Sequence, residues 1–321
     1  MYKVSVIVPV FNVEKYIEKC VRALFQQTLK EVEYIFVNDC TQDRSIDILK
    51  QILKEYPNRS KDVKIIEHEC NKGLPSARLT GLQYAVGEYV IHSDSDDWME
   101  KEMLEVLYHS AKNADADCVY CDFWFITEKG KERYKTAEYS TVKASLLNNW
   151  INTRWTVIWN LLVKKSIYNN DIEYPVSIQF CEDFYLAVQL LCLSEKIVQV
   201  QQPLHNYNRL NVSSILHTAR VSKMESDALW AYSNIITYLK RNKFIGFCEE
   251  SISWRFLNAV QGLVLNDRTF LEFKNAHPET HKFIWSCPYL NKKIKFMMWC
   301  LDRNLDFIVF IIVYLRRVFK R

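Results

Sequence analysis

The chain opens on Val4–Val10, apolar at nearly every position, which is the pattern of a strand covered on both faces. Ile17, Val21, Leu24 and Phe25 follow at helical spacing. A second strand-like run, Glu33–Asp39, ends in polar residues, and Arg44–Tyr56 places Ile48, Leu49 and Ile52 on one helical face. Val63–His68 predicts a third strand, Pro75–Val86 a third helix with Pro in its first turn, and Tyr89–Ile91 a short fourth strand. Four strand–helix units in succession require right-handed crossovers. They predict an α/β fold with a mostly parallel sheet and helices on both faces.

Beyond about residue 125 the periodicity loosens, and Arg133–Ser140 is polar enough to predict a surface excursion. Helical spacing returns between residues 221 and 300, at Leu229, Tyr232, Ile235, Leu239, Ile252, Phe256, Val260 and Leu263, and predicts a C-terminal helical region. The apolar run Leu305–Leu315 contains Asp306 and is too short to span a bilayer, which takes about 20 residues. Arg316, Arg317, Lys320 and Arg321 follow it, so an interfacial helix on anionic lipid competes with a buried terminal helix.

Composition narrows the class. Apolar residues make up 49% of the 321, and with Gly at 6 and Pro at 7 there is no flexible linker or low-complexity tract. A net charge of +4 is too small to imply a nucleic-acid partner, yet residues 290–321 hold eight of the basic side chains against Asp302 and Asp306. The 10 cysteines are scattered and follow no export-signal pattern, so they are expected to be reduced thiols. Cys118 and Cys121 lie in a strand-like run, where residues three apart point to opposite faces, which argues against a zinc or redox pair.

The candidate chemistry collects where the strands end. Ligands of such sheets sit at the C-terminal ends of the strands, and the groups there are Asn12, Asn38, Asp39, Asn71, Arg78, Asp94, Asp96 and Asp97. Three carboxylates within four residues, Asp94, Asp96 and Asp97, repel one another unless a cation joins them. With no His or Cys at ligand spacing, the oxygen-only set favours Mn²⁺ or Mg²⁺, whose remaining ligands come from water and substrate phosphates. A solvated turn before a helix near Glu100 is the plain alternative. No Gly-x-Gly-x-x-Gly follows the first strand and no Gly-x4-Gly-Lys-Ser/Thr occurs, which removes the common dinucleotide and P-loop folds.

Four stretches in this order, Val6-Ile-Val-Pro-Val-Phe-Asn12, Val37-Asn-Asp-Cys-Thr-Gln-Asp43, Asn71-Lys-Gly-Leu-Pro-Ser-Ala-Arg78 and Gly87-Glu-Tyr through Asp94-Ser-Asp-Asp-Trp98, resemble the family 2 inverting glycosyltransferases of GT-A fold. The resemblance implies a nucleotide-diphospho-sugar donor, UDP-linked. Pro9 and Asn12 would support the base, Asp39 would bind uracil, Arg78 would approach the phosphates, and Asp94 and Asp96 would hold ribose and metal. Phe180-Cys-Glu-Asp183 resembles the family's Glu-Asp motif, which makes Asp183 the catalytic base, at a helix N-terminus that favours an ionised carboxylate. His205-Asn-Tyr-Asn-Arg209 with Ser213-Ser-Ile215 resembles a loop closing over the diphosphate, with Arg209 on the phosphate; His205 reads as a surface or capping residue, or else as a metal ligand. The chain departs from the family where Asn38-Asp39-Cys40-Thr41 replaces Asp-Asp-Gly-Ser and where Leu79 follows Arg78 in place of Asn.

The organisation expected is a nucleotide-sugar-binding half at 1–125, an acceptor-binding half with the base at 126–220, a helical appendage at 221–300 and a basic membrane-associating segment at 301–321. The function implied is sugar transfer to a glycan or lipid-linked acceptor for surface polysaccharide, at the cytoplasmic face of the cell membrane. A non-catalytic sugar-nucleotide-binding or scaffold protein at the membrane is the rival from another class. A pyrophosphorylase is weaker, since Val10–Glu14 has neither Gly nor a basic residue.

Overall fold

A computed structural model describes residues 1–153, 155–211 and 221–319. The chain forms two compact units, Met1–Tyr139 with Thr153–Ala219, and Ser140–Asn152 with Arg220–Arg321.

In the first unit the predicted strand–helix alternation is present: β1 (Val4–Val10), α1 (Ile17–Phe25), β2 (Val32–Asn38), α2 (Ser45–Glu55), β3 (Val63–Glu67), α3 (Leu74–Tyr84) and β4 (Tyr89–His92). These strands lie in the order β3-β2-β1-β4, all parallel, with Ile7 opposite Ile35 on one side and His92 on the other. Strand β1 is buried along its length because both faces are covered. Val4, Val6 and Val8 pack in the core that includes α1 and α2, whereas Ile7 packs with Ile35, Val37, Val90 and Ala77 of α3.

The second half of the sheet is mixed. It continues through β8 (Leu161–Lys164), antiparallel to both β4 and β6 (Cys118–Thr127), then β9 (Ile197–Asn208), parallel to β6, and β5 (Trp98–Met99) at the far edge. Three expectations change here. The polar stretch from Arg133 begins inside β7 (Gly130–Tyr134), which forms a hairpin with β6, because Arg133 pairs with the buried Asp122 at 2.7 Å. The helix expected near Glu100 starts later, as α4 (Met103–Ala114), after β5. Residues 205–208 are the end of a central strand and not a loop, and His205, Asn206 and Asn208 are buried. Among the described residues none of the ten cysteines is in a disulfide.

The second unit contains α5 (Lys143–Asn152), which the sequence placed with the acceptor half. Arg255 Nε donates to Ile151 O at 2.7 Å and Asn152 Nδ2 to Ser251 Oγ at 3.0 Å, joining α5 to α8 (Glu249–Ala259). The other helices of this unit are α7 (Val221–Arg241), α9 (Phe270–Asn275), α10 (Lys292–Asp302) and α11 (Asp306–Phe319). Helix α11 buries Val309 and Val313, while Phe307, Phe310, Ile311, Tyr314, Leu315 and Val318 are exposed. Among the described residues no helix is long and apolar enough to cross a membrane.

One buried carboxylate fastens the sheet to the turn that feeds β4. Glu33 Oε1 accepts from Ser5 Oγ (2.6 Å), Val86 N (2.6 Å) and Gly87 N (3.1 Å), and Glu33 Oε2 accepts from Lys64 Nζ (2.9 Å). A Cβ on Gly87 would lie 2.7 Å from Ser5 N and 2.8 Å from Val4 C, both backbone atoms, so this approach needs glycine. Gly87→Ala is therefore expected to destabilise the chain by about 1–3 kcal/mol, the usual cost of overpacking. Urea unfolding measures it, and an unchanged midpoint would contradict the assignment.

Candidate active site

The loops after β1, β2 and β3 are tied into one rim. Asp39 is buried at the end of β2, where its Oδ1 accepts from Lys72 N (2.8 Å) and lies 2.7 Å from His68 Nδ1, and its Oδ2 accepts from Gly73 N (2.8 Å). His68 Nε2 lies 2.9 Å from Thr80 Oγ1 on α3. Asn12 N donates to Thr41 Oγ1 at 2.8 Å, and Thr41 Oγ1 donates to Asp43 Oδ1 at 2.8 Å. Asn12 (φ 53°) and Cys40 (φ 59°) are in the left-handed region. Cys40 stands where the resembling family has Gly, which explains the usual residue and makes this departure a strained one. Pro9 is buried within β1 opposite Val37, so it shapes the rim from beneath.

The acidic site proper is built around Arg78. This arginine, 2% exposed, sits in the second turn of α3, and its Nη2 donates to Asp94 Oδ1 (2.7 Å) while Nη1 donates to Asp183 Oδ1 (2.5 Å). Glu182 Oε1 is 3.6 Å from the same Nη1. Asp94 and Asp183 are 89 residues apart in sequence (183 − 94) and share one guanidinium. Glu182 and Asp183 open α6 (Glu182–Leu193), directly after Cys181 at φ 63°. Burial and the neighbouring Asp183 charge push Glu182 up to about 8. Burial also raises Asp183, but the Arg78 charge opposes it. Glu182 is thus raised further from its ordinary range, while Asp183 has the closer hold on the Arg78 guanidinium.

Asp96 and Asp97 are adjacent and do different things. Asp96 is half-buried, accepts from Asn211 Nδ2 at 2.7 Å, and is pushed up to about 7 by burial and by the charges of Asp97 and Asp94. Asp97 is fully buried; its Oδ1 accepts from Asn208 N (2.7 Å) and its Oδ2 lies 3.2 Å from His205 Nε2. Burial holds His205 down at about 3 and raises Asp97 well above its ordinary value. The surface or capping reading of His205 is thereby corrected: the ring is buried and stacked on Trp159 at 4.1 Å.

Arg209 does not touch the acids. It is exposed and lies over Phe125 (5.2 Å) and Trp155 (6.0 Å), on an aromatic wall that also includes Tyr207. Ser213, Ser214 and Ile215 lie outside the described residues.

The acids leave room for a hard cation. Arg78 is shared by Asp94, Glu182 and Asp183, and no such cation is bonded to Asp96 or Asp97 among the described residues, whose carboxyls are raised by burial and by neighbouring acids. A divalent ion on oxygen ligands fits that imbalance. Among the described residues no group of three His, Cys, Asp or Glu side chains is arranged to hold an ion, so Asp94 and Asp96 would supply at most part of a coordination shell. Asn211 and His68, which contact Asp96 and Asp39, were not singled out by the sequence. Neither spacing nor composition flags them, because their partners lie 115 and 29 residues away.

A family model described as Glycosyl transferase family 2 matches residues 5–178. The uncharacterized glycosyltransferase EpsJ of Bacillus subtilis (strain 168) is 28% identical over 259 residues, 78% of this chain and 73% of that protein. In fold the chain is similar to S. aureus TarS 1–349 in complex with UDP-GlcNAc, with a TM-score of 0.65 and 18% identity over 94% of this chain and 91% of that one. It is also similar to the mannosyltransferase PcManGT from Pyrobaculum calidifontis in complex with GDP-Man and Mn²⁺, with a TM-score of 0.52 and 12% identity over 98% of this chain and 88% of that one.

The contrast between the two neighbouring acids can be measured. Asp97→Ala should cost about 2–3 kcal/mol, since it strands buried hydrogen-bonding groups on β9, whereas Asp96→Ala should cost less than about 1 kcal/mol. Equilibrium unfolding of the two variants decides it, and the reverse order would refute the structural role of Asp97.

Proposed function

This chain belongs to glycosyl transferase family 2, and we propose that it transfers a sugar from a UDP-sugar to an acceptor hydroxyl with inversion at the anomeric carbon. The observation that carries the proposal is the pairing of Asp183, at the start of α6, with Asp94, at the end of β4, on the single guanidinium of Arg78. A base and a donor-side acid are thus held within one side chain's reach. The UDP-GlcNAc bound by the S. aureus protein of like fold supports the donor class.

In this reading Asp39 and Asn12, on the rim, take the base, and the diphosphate lies towards Asp94, Asp96 and Arg209. Asp94 and Asp96 would hold Mn²⁺ or Mg²⁺, a choice supported by the Mn²⁺ in the mannosyltransferase of like fold. When bound, such an ion stabilises the charge that develops on the leaving diphosphate. Asp183 accepts the acceptor's hydroxyl proton as its oxygen attacks the anomeric carbon from the face opposite the diphosphate. The bond from that carbon to the phosphate oxygen breaks with its electron pair, the new glycosidic bond forms, and one displacement inverts the centre. Glu182, protonated beside Asp183, keeps a second negative charge away from the base.

Base removal should cost 10²–10⁴-fold in rate without being needed for donor binding. Asp183→Asn is accordingly expected to lose transfer and keep UDP affinity, read as released UDP and by calorimetry. Were Glu182→Gln the inactive variant and Asp183→Asn the active one, the base would be misassigned.

We further propose that the acceptor is glycan or lipid-linked and that α11 lies on an anionic membrane surface. All six exposed residues of α11 named above are apolar, and Arg316 and Arg303 are exposed near its ends. At about 1.5 Å per residue the helix is about 21 Å long, shorter than the roughly 30 Å hydrocarbon layer, which suits lying in the interface. Phe310→Glu with Tyr314→Glu should release the chain from anionic vesicles and leave turnover on a short soluble acceptor intact. Undiminished co-sedimentation of that variant would count against the membrane placement.

A further inference from the structure

We infer that Arg78 is a positioning residue, which sets the base Asp183 at a fixed place relative to the donor-side acid Asp94, and that it is not itself a ligand of the donor phosphates. The inference rests on the transferase reading above.

Its first support is commitment. Both terminal nitrogens of Arg78 already donate to carboxylates, at 2.5 Å to Asp183 and 2.7 Å to Asp94, and the side chain is 2% exposed. Turning this guanidinium onto a phosphate would break two charge-assisted hydrogen bonds. It would also strand Asp94, Asp183 and Glu182 as neighbouring acids in a buried site, which is far costlier than exposing them at a surface.

Its second support is anchorage. Arg78 is flanked on α3 by Ala77, fully buried against β1 and β2, and by Gly81, where a Cβ would collide with the Ile7 side chain. The helix is seated so closely on the sheet that it leaves no slack for sliding, and the start of the Arg78 side chain is fixed with it. The guanidinium is a rigid planar fork, so the two oxygens it holds acquire a set separation. A lysine would keep the charge and lose that separation.

Its third support is what lies behind the fork. Arg78 Nε has no hydrogen-bond partner, and neither ring nitrogen of the buried His92 has one. Among the described residues the hydrogen bonds that orient the guanidinium are those to Asp94 and Asp183. The consequence is that Asp183 cannot shift without moving the group that also grips the donor-side acid.

The test is Arg78→Lys, with UDP titrated calorimetrically in Mn²⁺ and turnover measured on a soluble acceptor. Expected are one UDP site per chain, an affinity within about threefold of wild type, and a kcat lower by at least about 100-fold with the donor KM little changed. In an Asp183→Asn background the same substitution should add no further loss, since both act through one group. UDP binding weakened more than tenfold with kcat retained would overturn the inference in favour of a phosphate ligand. A fall in UDP stoichiometry matching the fall in rate would overturn it in favour of a merely structural role. Should Arg78→Lys fail to fold, a crystal structure of the wild-type chain with UDP decides: retained bonds to Asp94 and Asp183 support the inference, and a guanidinium turned onto the diphosphate refutes it. Wild-type UDP binding and turnover report separately on the transferase reading.

Discussion

Confining five carboxyl groups, Asp94, Asp96, Asp97, Glu182 and Asp183, beside one buried guanidinium is the constraint on which the site depends. Arg78 satisfies three of them directly. Asp97 is accommodated in another way, buried beside His205 and accepting from the β9 backbone. Asp96 remains, with a single amide from Asn211 and a raised carboxyl. The acid with the fewest partners is therefore the one that follows the end of β4 most openly.

The first half of the fold is legible in the sequence because its information is local. Val4–Val10 and Val32–Asn38 are continuous apolar runs, and the intervening helices carry their buried side chains at helical spacing. The second half is not legible in that way. Inserting β8 antiparallel between β4 and β6 depends on pairings across 41 residues or more, such as Tyr120 with Leu161, that no short window along the chain contains. His205, Asn206 and Asn208 look like loop residues because they are polar. They are buried because Asp97, Glu100 and Asp96, more than 100 positions away, supply their hydrogen bonds. The individual site residues could be picked out from motif order, whereas the bridge from Arg78 to Asp183 could not, since it spans 105 positions.

Of the seven non-glycine residues at positive φ among the described residues, three border the candidate site. Asn12, Cys40 and Cys181 all adopt positive φ without being glycine, and each stands at the end of an element that delivers a site residue. Left-handed backbone at such residues costs of order 1 kcal/mol each and persists only where surrounding contacts over-determine it. Around Asn12 and Cys40 those contacts are the Thr41 and Asp43 hydrogen bonds of the rim.

The Glu33 carboxylate gathers donors from β1, from β3 and from the turn before β4, at sequence separations of 28, 31, 53 and 54. Its hydrogen bonds cannot be completed by any two neighbouring segments. A partly assembled sheet would enclose a dehydrated anion lacking some of its donors, at a penalty of 1–3 kcal/mol for each polar group left unmet. Half-built intermediates are thereby raised in free energy relative to both the open chain and the finished sheet. Glu33 acts as a checksum on assembly: it makes docking of four strands close to all-or-none, and the crevice that holds Asp94 is shaped only when the count is complete.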